Sequence, residues 1–472
     1  MIKRILCHKV FHLRGYYSNA PISLFFFYQR NICYRQFANV HRIIHCDKDV
    51  SRCFIWNTVE AMRLERNSMR TMENTWMTDK RKLQRRMNFF TALARVEGIW
   101  QTIGNFPICF GGPDNLKKCR FSKSIMGYHI VLFIISAGIF ISAILEVEFL
   151  SRMDYIVMTI TMIIRSLSAL VCYFLNSSIW IFYHKDFIDA MEFLASQNLI
   201  LQQLGCRMDY SLCFKMVRTY VYGTLTTVAV LLIYDCYTSM STWASESPLM
   251  VCQWIFFTIP SVIQVITPTI FGSLVIILGV HFREVNTKLM AIRDRANSSP
   301  PKVIELSNDC AEGVRLIAKI HYNLCKIGKF LNWMFNGFFV VIVATAFIIL
   351  SSSLYFIFYE VVKPEETNYL SIGSYISWQI TTAAPMIATV VICNWTSNQA
   401  EHTGKLIHEI HIESTESKLY QIIRSLSLQL HHQKVEFSGA GLFPINSSLL
   451  QTMIGNMTTS LVILIQFQPS LN

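Results

Sequence analysis

Two ionisable side chains stand alone in long apolar runs. Arg165 lies about ten residues into a stretch, 155–184, that is otherwise almost free of charge, or about 15 Å along a helix. Asp235 sits near the end of a second such stretch, 219–245. A charge held in hydrocarbon is costly and is usually paired or functional. Arg165 and Asp235 are therefore expected to be partners, either as a structural ion pair or as two contacts for a small polar molecule. Trp254, Tyr355, Trp378 and Gln379 occupy comparable positions in neighbouring apolar runs. Turned inward, these four would bind ring-bearing or polar molecules by stacking and hydrogen bonding. Turned outward, they would form an aromatic belt at a membrane interface.

Other chemistry is poorly supported. The fourteen cysteines include no paired CxxC spacing, which weakens zinc and thioredoxin-like readings. His402, His408, His411, His431 and His432 cluster in sequence, but no acidic or cysteine ligand completes a metal set. No nucleophile with a convergent base is evident. No cofactor, no metal and no enzymatic activity are expected. Cys236 and Cys252 flank a short connection and could form a disulfide. The sequons at Asn176, Asn297, Asn394, Asn446 and Asn456 fall in apolar runs or on the basic side and are expected to be unmodified.

The elements that must hold these residues are helical membrane spans. Of the 472 residues, 52% are hydrophobic and only 15% charged, against about 25% charged in a typical soluble protein. Seven runs are nearly free of charge: 124–145, 155–184, 219–245, 247–282, 330–359, 367–400 and 437–472. Each exceeds the roughly 20 residues needed to cross hydrocarbon as a helix. Under this count 38 of the 42 Lys and Arg fall on one side, and only Arg152 and Lys363 on the other. Basic loops stay in the cytosol, so the amino terminus is predicted to be cytosolic and the carboxyl terminus extracellular. The asymmetry also accounts for the net charge of +12 without a nucleic-acid partner. The expected fold is all-α: a seven-transmembrane helix bundle at a multi-pass plasma-membrane protein, embedded in membrane lipid.

Residues 1–90 read as a basic cytosolic extension, or as sequence upstream of the true start. Residues 1–46 hold seven basic and no acidic side chains, resembling a presequence in composition. Residues 60–100 look helical. On the cytosolic side, spans four and five are expected to continue as helices around a turn at 297–301. Ile407, Ile410, Leu419, Ile422, Ile423, Leu426 and Leu430 recur at roughly helical spacing, predicting a cytosolic helical anchor. The last span contains Gly439, Gly441, Pro444, Gly455 and Asn456 and reads as two helical pieces. Such a break faces an interior or aqueous path, or it is a kink packed at its glycines.

The carboxyl-terminal residues carry a family resemblance. Thr459, then Ser460, five apolar residues Leu461–Ile465, then Gln466 and Phe467, match in register the Thr-Tyr, five apolar, Gln-Phe ending of the insect gustatory receptors. Phe437, Gly441, Leu442 and Phe443 fit the upstream Phe-x-x-x-Gly-Leu-Phe, and Ser427-Leu-Gln-Leu-His431 also fits. Ser460 stands where the family has Tyr. The chain resembles that family over 91–467, leaving 468–472 as a short extracellular tail. The resemblance implies a chemosensory, ligand-gated, non-selective cation channel opened by a small-molecule tastant, working as a homo- or hetero-tetramer with other gustatory receptor subunits. It implies that the end of the last span lines the pore, with Gln466 at the ion path and Leu461 and Ile465 as a hydrophobic constriction; alternatively Gln466 bonds a neighbouring helix. A G-protein-coupled-type receptor is disfavoured by the inverted charge bias, and a small-solute transporter by the lack of repeats. Bitter compounds, sugars, carbon dioxide and internal metabolites all remain open as ligands.

Overall fold

A computed structural model describes residues 94, 96–102, 106–110, 119–145, 156–206, 210–243, 248–298, 304–362, 369–410 and 418–466. The expected extension 1–90, Phe467, the tail 468–472 and the side chain of Trp254 lie outside the described residues.

The described chain is helical, as expected. A short hairpin of β1 (Ile108–Phe110) and β2 (Cys119–Phe121) pairs antiparallel, with Cys109 opposite Arg120. The long helices follow: α1 (Lys123–Leu145), α2 (Ile156–Gln203), α3 (Tyr210–Trp243), α4 (Pro248–Ser298), α5 (Ile304–Val362) and α6 (Tyr369–His408). Then come α7 (Lys418–His432), a second hairpin of β3 (Ser438–Gly439) and β4 (Phe443–Pro444), and α8 (Ser447–Gln466). Six helices, α2 to α6 and α8, are long and apolar enough to cross a membrane. The apolar part of α1, Lys123–Gly138, completes the expected series of seven. The chain divides into two units, 61–462 and 1–60 with 463–472. Of the second, only the last turn of α8 is described.

Within hydrocarbon, burial of apolar side chains does not by itself drive helices together, so close packing must. Small residues permit it here. Gly279 of α4 lies under Trp395 and Thr396 of α6, where an added Cβ would sit 2.2 Å from the indole and 2.7 Å from the hydroxyl. Gly272 takes the Tyr220 ring of α3 in the same way. Around these contacts α4 is almost wholly enclosed, and α6 packs on it more extensively than any other pair of elements. Phe271 meets Phe335, Phe339 and Phe437 edge-on, with ring centroids 5.5, 4.7 and 5.8 Å away.

Toward the α7 end, α4 and α5 continue beyond the apolar stretches as single helices, in line with expectation, and α6 does so as well. Buried polar groups tie them together. The Asn286 amide donates to the Gln399 carbonyl at 2.7 Å, and the Thr403 hydroxyl donates to Asn286 at 2.6 Å. Asn323 donates to Gln197 at 3.0 Å. Arg293 pairs with Glu409. Helix α7 buries Leu419, Ile423 and Leu426, one face at helical spacing, and packs on α5. The predicted anchor segment is thus two helices, with Ile407 and Ile410 buried near the end of α6. The stretch 96–102 covers the β1–β2 hairpin. There Glu97 accepts from the Phe110 amide at 2.7 Å and from Gln101 at 2.8 Å. Burial nonetheless holds its carboxyl above the usual carboxylate range.

The last segment is split, but not into two helices. Residues 438–444 form the tight hairpin, with Ala440 and Gly441 both at positive φ (50° and 71°). Gly439 sits against the Phe443 ring, where a Cβ would come within 2.4 Å. The Asn446 side chain then caps α8 by accepting from the Ser448 amide at 3.0 Å. Gly455 and Asn456, expected as breakers, lie inside one continuous helix. A single glycine costs a helix only about 1 kcal/mol. Cys236 is a free thiol, against the expected disulfide; the side chain of Cys252 lies outside the described residues.

Candidate functional site

Helix α6 gathers the site on one face. Ser374, Ser377, Trp378, Thr381, Thr382, Pro385 and Thr389 recur every three or four residues, so they share a side of the helix. At the start of α6, the buried Asp235 accepts from the Ser374 hydroxyl at 2.9 Å. The Ser377 hydroxyl donates to the Leu231 carbonyl at 3.2 Å. Tyr234 packs against Gly373, whose missing side chain makes room for it. One turn on, the half-buried Arg165 lays its guanidinium over the Trp378 ring, 3.0 Å from the centroid. Such stacking is worth about 0.5–2 kcal/mol. Asp235 stands within electrostatic range of Arg165, while its carboxylate takes the hydrogen bond from Ser374. Next to Trp378, the Gln379 side-chain nitrogen is buried with no hydrogen-bond partner among the described residues.

Below this level a cavity opens, admitting water-sized molecules over about 50 Å³. Its walls come from α4 (Gln264, Pro268), α5 (Phe339, Thr345), α6 (Thr381, Pro385) and the foot of α8 (Leu449), with Ile445 just before that helix. Pro385 interrupts the α6 ladder, since it has no N–H to give the Thr381 carbonyl; such a lapse is tolerated where backbone lines a cavity. Gln264 links the two levels by donating to the Ser168 hydroxyl at 3.2 Å; Ser168 in turn donates to the Arg165 carbonyl at 2.7 Å. Tyr220 closes the far end, donating to the Pro268 carbonyl at 3.1 Å beside Thr389 at 3.5 Å.

The structure therefore brings together Arg165, Asp235 and Trp378 of the expected pocket residues; Gln379, the next residue after Trp378, is turned about 100° around α6 from it and does not line the cavity. Tyr355 is half-buried on α5, its ring beside Phe356 at 5.7 Å, and does not line the cavity. Sequence reading missed Gln264, Ser374 and the α6 threonines. The cue it passed over was Thr381-Thr382 with Pro385 in the middle of an apolar run.

Helix α8 has two unlike sides. Leu449 and Met453 are buried. Ser448, Thr452, Asn456, Thr459, Val462 and Gln466 are exposed, and their spacing places them on one face. Leu461 and Ile465 are half-buried. In one continuous helix they stand about 140° and 100° around the axis from Gln466, at roughly 100° per residue. The expected constriction of Gln466, Leu461 and Ile465 thus does not share a face; Val462 and Thr459 stand with Gln466 instead.

Comparison with known proteins gives a consistent picture. The family model described as 7tm Chemosensory receptor matches residues 96–471. The Drosophila melanogaster gustatory receptor for bitter taste 66a is 29% identical over 169 residues, covering 33% of this chain and 30% of that protein. The putative gustatory receptor 2a of the same fly is 24% identical over 243 residues, covering 47% of this chain and 55% of its own length. The chain thus spans about a third to a half of the length of these curated relatives. Among solved structures, the insect olfactory receptor OR5 from Machilis hrabei superposes with a TM-score of 0.56 at 15% identity, covering 79% of this chain and 97% of the other. The same receptor in complex with eugenol gives 0.55 at 14% identity, covering 81% and 99%. At that identity the likeness is one of fold.

Proposed function

We propose, on the premise that this chain belongs to the 7tm chemosensory receptor family, that it is a gustatory-type subunit of a ligand-gated, non-selective cation channel. Four subunits, identical or related, surround one pore in the plasma membrane. The α7 end, with the amino terminus, faces the cytosol, and the start of α6 faces outside. A small-molecule tastant binds in the pocket between Arg165, Asp235 and Trp378, above the cavity.

The observation that carries this reading is the two-sided α8. Its buried side, through Leu449, is a wall of the cavity. Its other side exposes a row of polar and small residues that a lone subunit leaves uncovered. Fourfold assembly would turn that row toward an axis, where rings of Thr459 and Gln466 offer neutral oxygens to a passing cation. Val462, on the same face, supplies the apolar narrowing. Seven acidic residues against two basic ones in the predicted outer loops and adjacent span ends would enrich cations at the mouth. Occupation of the cavity then bears on α8 from behind.

The test is electrical. The chain, expressed in cells lacking other receptors, should pass cation current when a panel of bitter compounds, sugars and metabolites is applied, alone or with related subunits. Silence across the panel, with protein at the surface, rejects the channel reading. An epitope placed before Ile5 should become accessible to antibody only after permeabilisation; staining of intact cells reverses the topology.

A further inference from the structure

We propose that Ser298 is a phosphorylation site for an arginine-directed serine kinase, with access governed by the contact between the ends of α4 and α6; this rests on the cytosolic placement of the α7 end given above. Arg293 and Arg295 lie five and three residues before Ser298, giving Arg-x-Arg-x-x-Ser, and Arg-x-Arg occurs nowhere else in the chain. Kinases with acidic subsites read such arginines, because the guanidinium fork fits a carboxylate bidentately. Ser298 is the last residue of α4 and is exposed. Its hydroxyl is tied to its own helical turn, donating to the Asp294 carbonyl at 2.6 Å.

One of the two arginines is already in use. Arg293 pairs with Glu409, just past the end of α6, and with Asp294 beside it. The Asn297 amide donates to the Glu409 carbonyl at 3.2 Å. The segment that a kinase must read is thus the one that clasps α4 to α6. A kinase takes its substrate extended, so 293–298 must unwind and Arg293 must leave Glu409. Helix ends lack some hydrogen-bond partners and open at small cost, and an exposed ion pair does little to hold them. In the open form the Ser298 hydroxyl attacks the γ-phosphorus of ATP. The new O–P bond forms as the bond to ADP breaks, and the hydroxyl proton passes to the kinase's base. The product adds about −1.5 to −2 charge at neutral pH. It stands at the carboxyl end of a helix, where the dipole opposes it, one turn from Asp294, a like charge. It also competes with Glu409 for Arg293. These effects keep the last turn open, so phosphorylation releases α4 from α6 at this end.

The purified full-length protein in detergent, given ATP and an active kinase of this arginine-directed class, should take up phosphate at Ser298, located by peptide mass spectrometry. Ser298→Ala should abolish that phosphate. Arg295→Ala, which spares the Arg293–Glu409 pair, should slow it by roughly tenfold or more, through loss of one charge-assisted contact to the kinase. Glu409→Gln keeps every recognition residue and opens the clasp, so it should speed phosphorylation about two- to fivefold, the scale of one exposed ion pair. Amide exchange of 293–298 and 401–409 should rise once Ser298 is phosphorylated. No phosphate at Ser298, or an unchanged rate in Arg295→Ala, overturns the site. Glu409→Gln without acceleration overturns the gate, and unchanged exchange overturns the release. In cells co-expressing the kinase, the same peptide should carry phosphate and a bare Asn297. A glycan on Asn297 would place this end outside and overturn the topology, and with it phosphorylation in cells. A Ser298 that the kinase cannot modify in the purified protein overturns the site and leaves the topology standing.

Discussion

Helices α4 and α8 are both apolar enough to cross a membrane, yet they live in opposite surroundings. The most hydrophobic window of α4 is 100% buried inside the subunit, that of α8 only 11%. One is the post around which α2, α3, α5 and α6 pack. The other buries only Leu449 and Met453 in its own subunit and leaves the rest half-buried or exposed. The difference teaches where the molecule is complete and where it is not. Stability of the single chain resides in α4 and its neighbours, whereas most of α8 lies outside that packed interior.

The sharpest way to break that contrast is at Gln466. Gln466→Arg should cut cation current at least tenfold, with surface levels unchanged. In the proposed tetramer, four added charges at one ring would repel cations, while an exposed position leaves folding alone. Channels that reach the surface and conduct with unaltered permeability would show that the exposed face of α8 is not an ion path. In α4 the same size of change should act on folding. Gly279→Ala places a methyl into the Trp395 ring and should cost about 1–3 kcal/mol by overpacking. It would be read as a lowered melting temperature and reduced surface delivery. Trp395→Leu in the same chain should recover part of the loss. If Gly279→Ala melts normally, α4 is less tightly held than its contacts indicate.

A milder test of the buried side is Asn286→Ala. It strands the Thr403 hydroxyl and the Gln399 carbonyl, a loss of about 1–2 kcal/mol, with ligand sensitivity of the assembled channel intact. The smallest effect belongs to α8 again. Gly455 has no atom within 4 Å of an added Cβ, so Gly455→Ala should leave the subunit intact and firm the helix by about 0.5–1 kcal/mol. Destabilisation there would mean that α8 is covered within its own subunit. A right-shifted or slowed opening with normal stability would instead place a close neighbour against Gly455 in the assembly.

Much of this was legible in the residues. The alternation of charge-free runs with basic loops marks all seven helices, because hydrocarbon excludes charge whatever the tertiary fold. The continuation of α4 and α5 and the apolar period of α7 were equally plain. The α6 face was not, because hydroxyls in apolar helices bond their own turn, as Thr381 does to Ser377 and Thr389 to Pro385. Such residues leave no trace in hydropathy, whether they face a cavity or lipid. The breakers of the last segment were misplaced for a related reason. Ala440, Gly441 and Pro444 act together as a hairpin, while an isolated Gly455 costs too little to end a helix. Leu461 and Ile465 were grouped with Gln466 by nearness along the chain, where the turn of the helix groups Val462 and Thr459. Arg165 and Asp235 stood out as lone charges in apolar runs, but that the guanidinium would lie on Trp378 and the carboxylate turn to Ser374 is a matter of packing alone.

Helix α5 runs unbroken for 59 residues, about 90 Å at 1.5 Å per residue, roughly three times the thickness of the hydrocarbon layer. A continuous helix of that length is a lever. If it pivots where it leaves the bilayer, a tilt of about 2° displaces a tip some 45 Å away by roughly 1.5 Å, the rise of one helical residue. Motions at the pocket too small to rearrange side chains would therefore arrive at the α7 end as a shift large enough to change which side chains meet there. Joined by Asn286, Gln399 and Thr403, α4 and α6 would resist that swing, so the α7 end would act as the fulcrum's return spring and set how far the outer half can open.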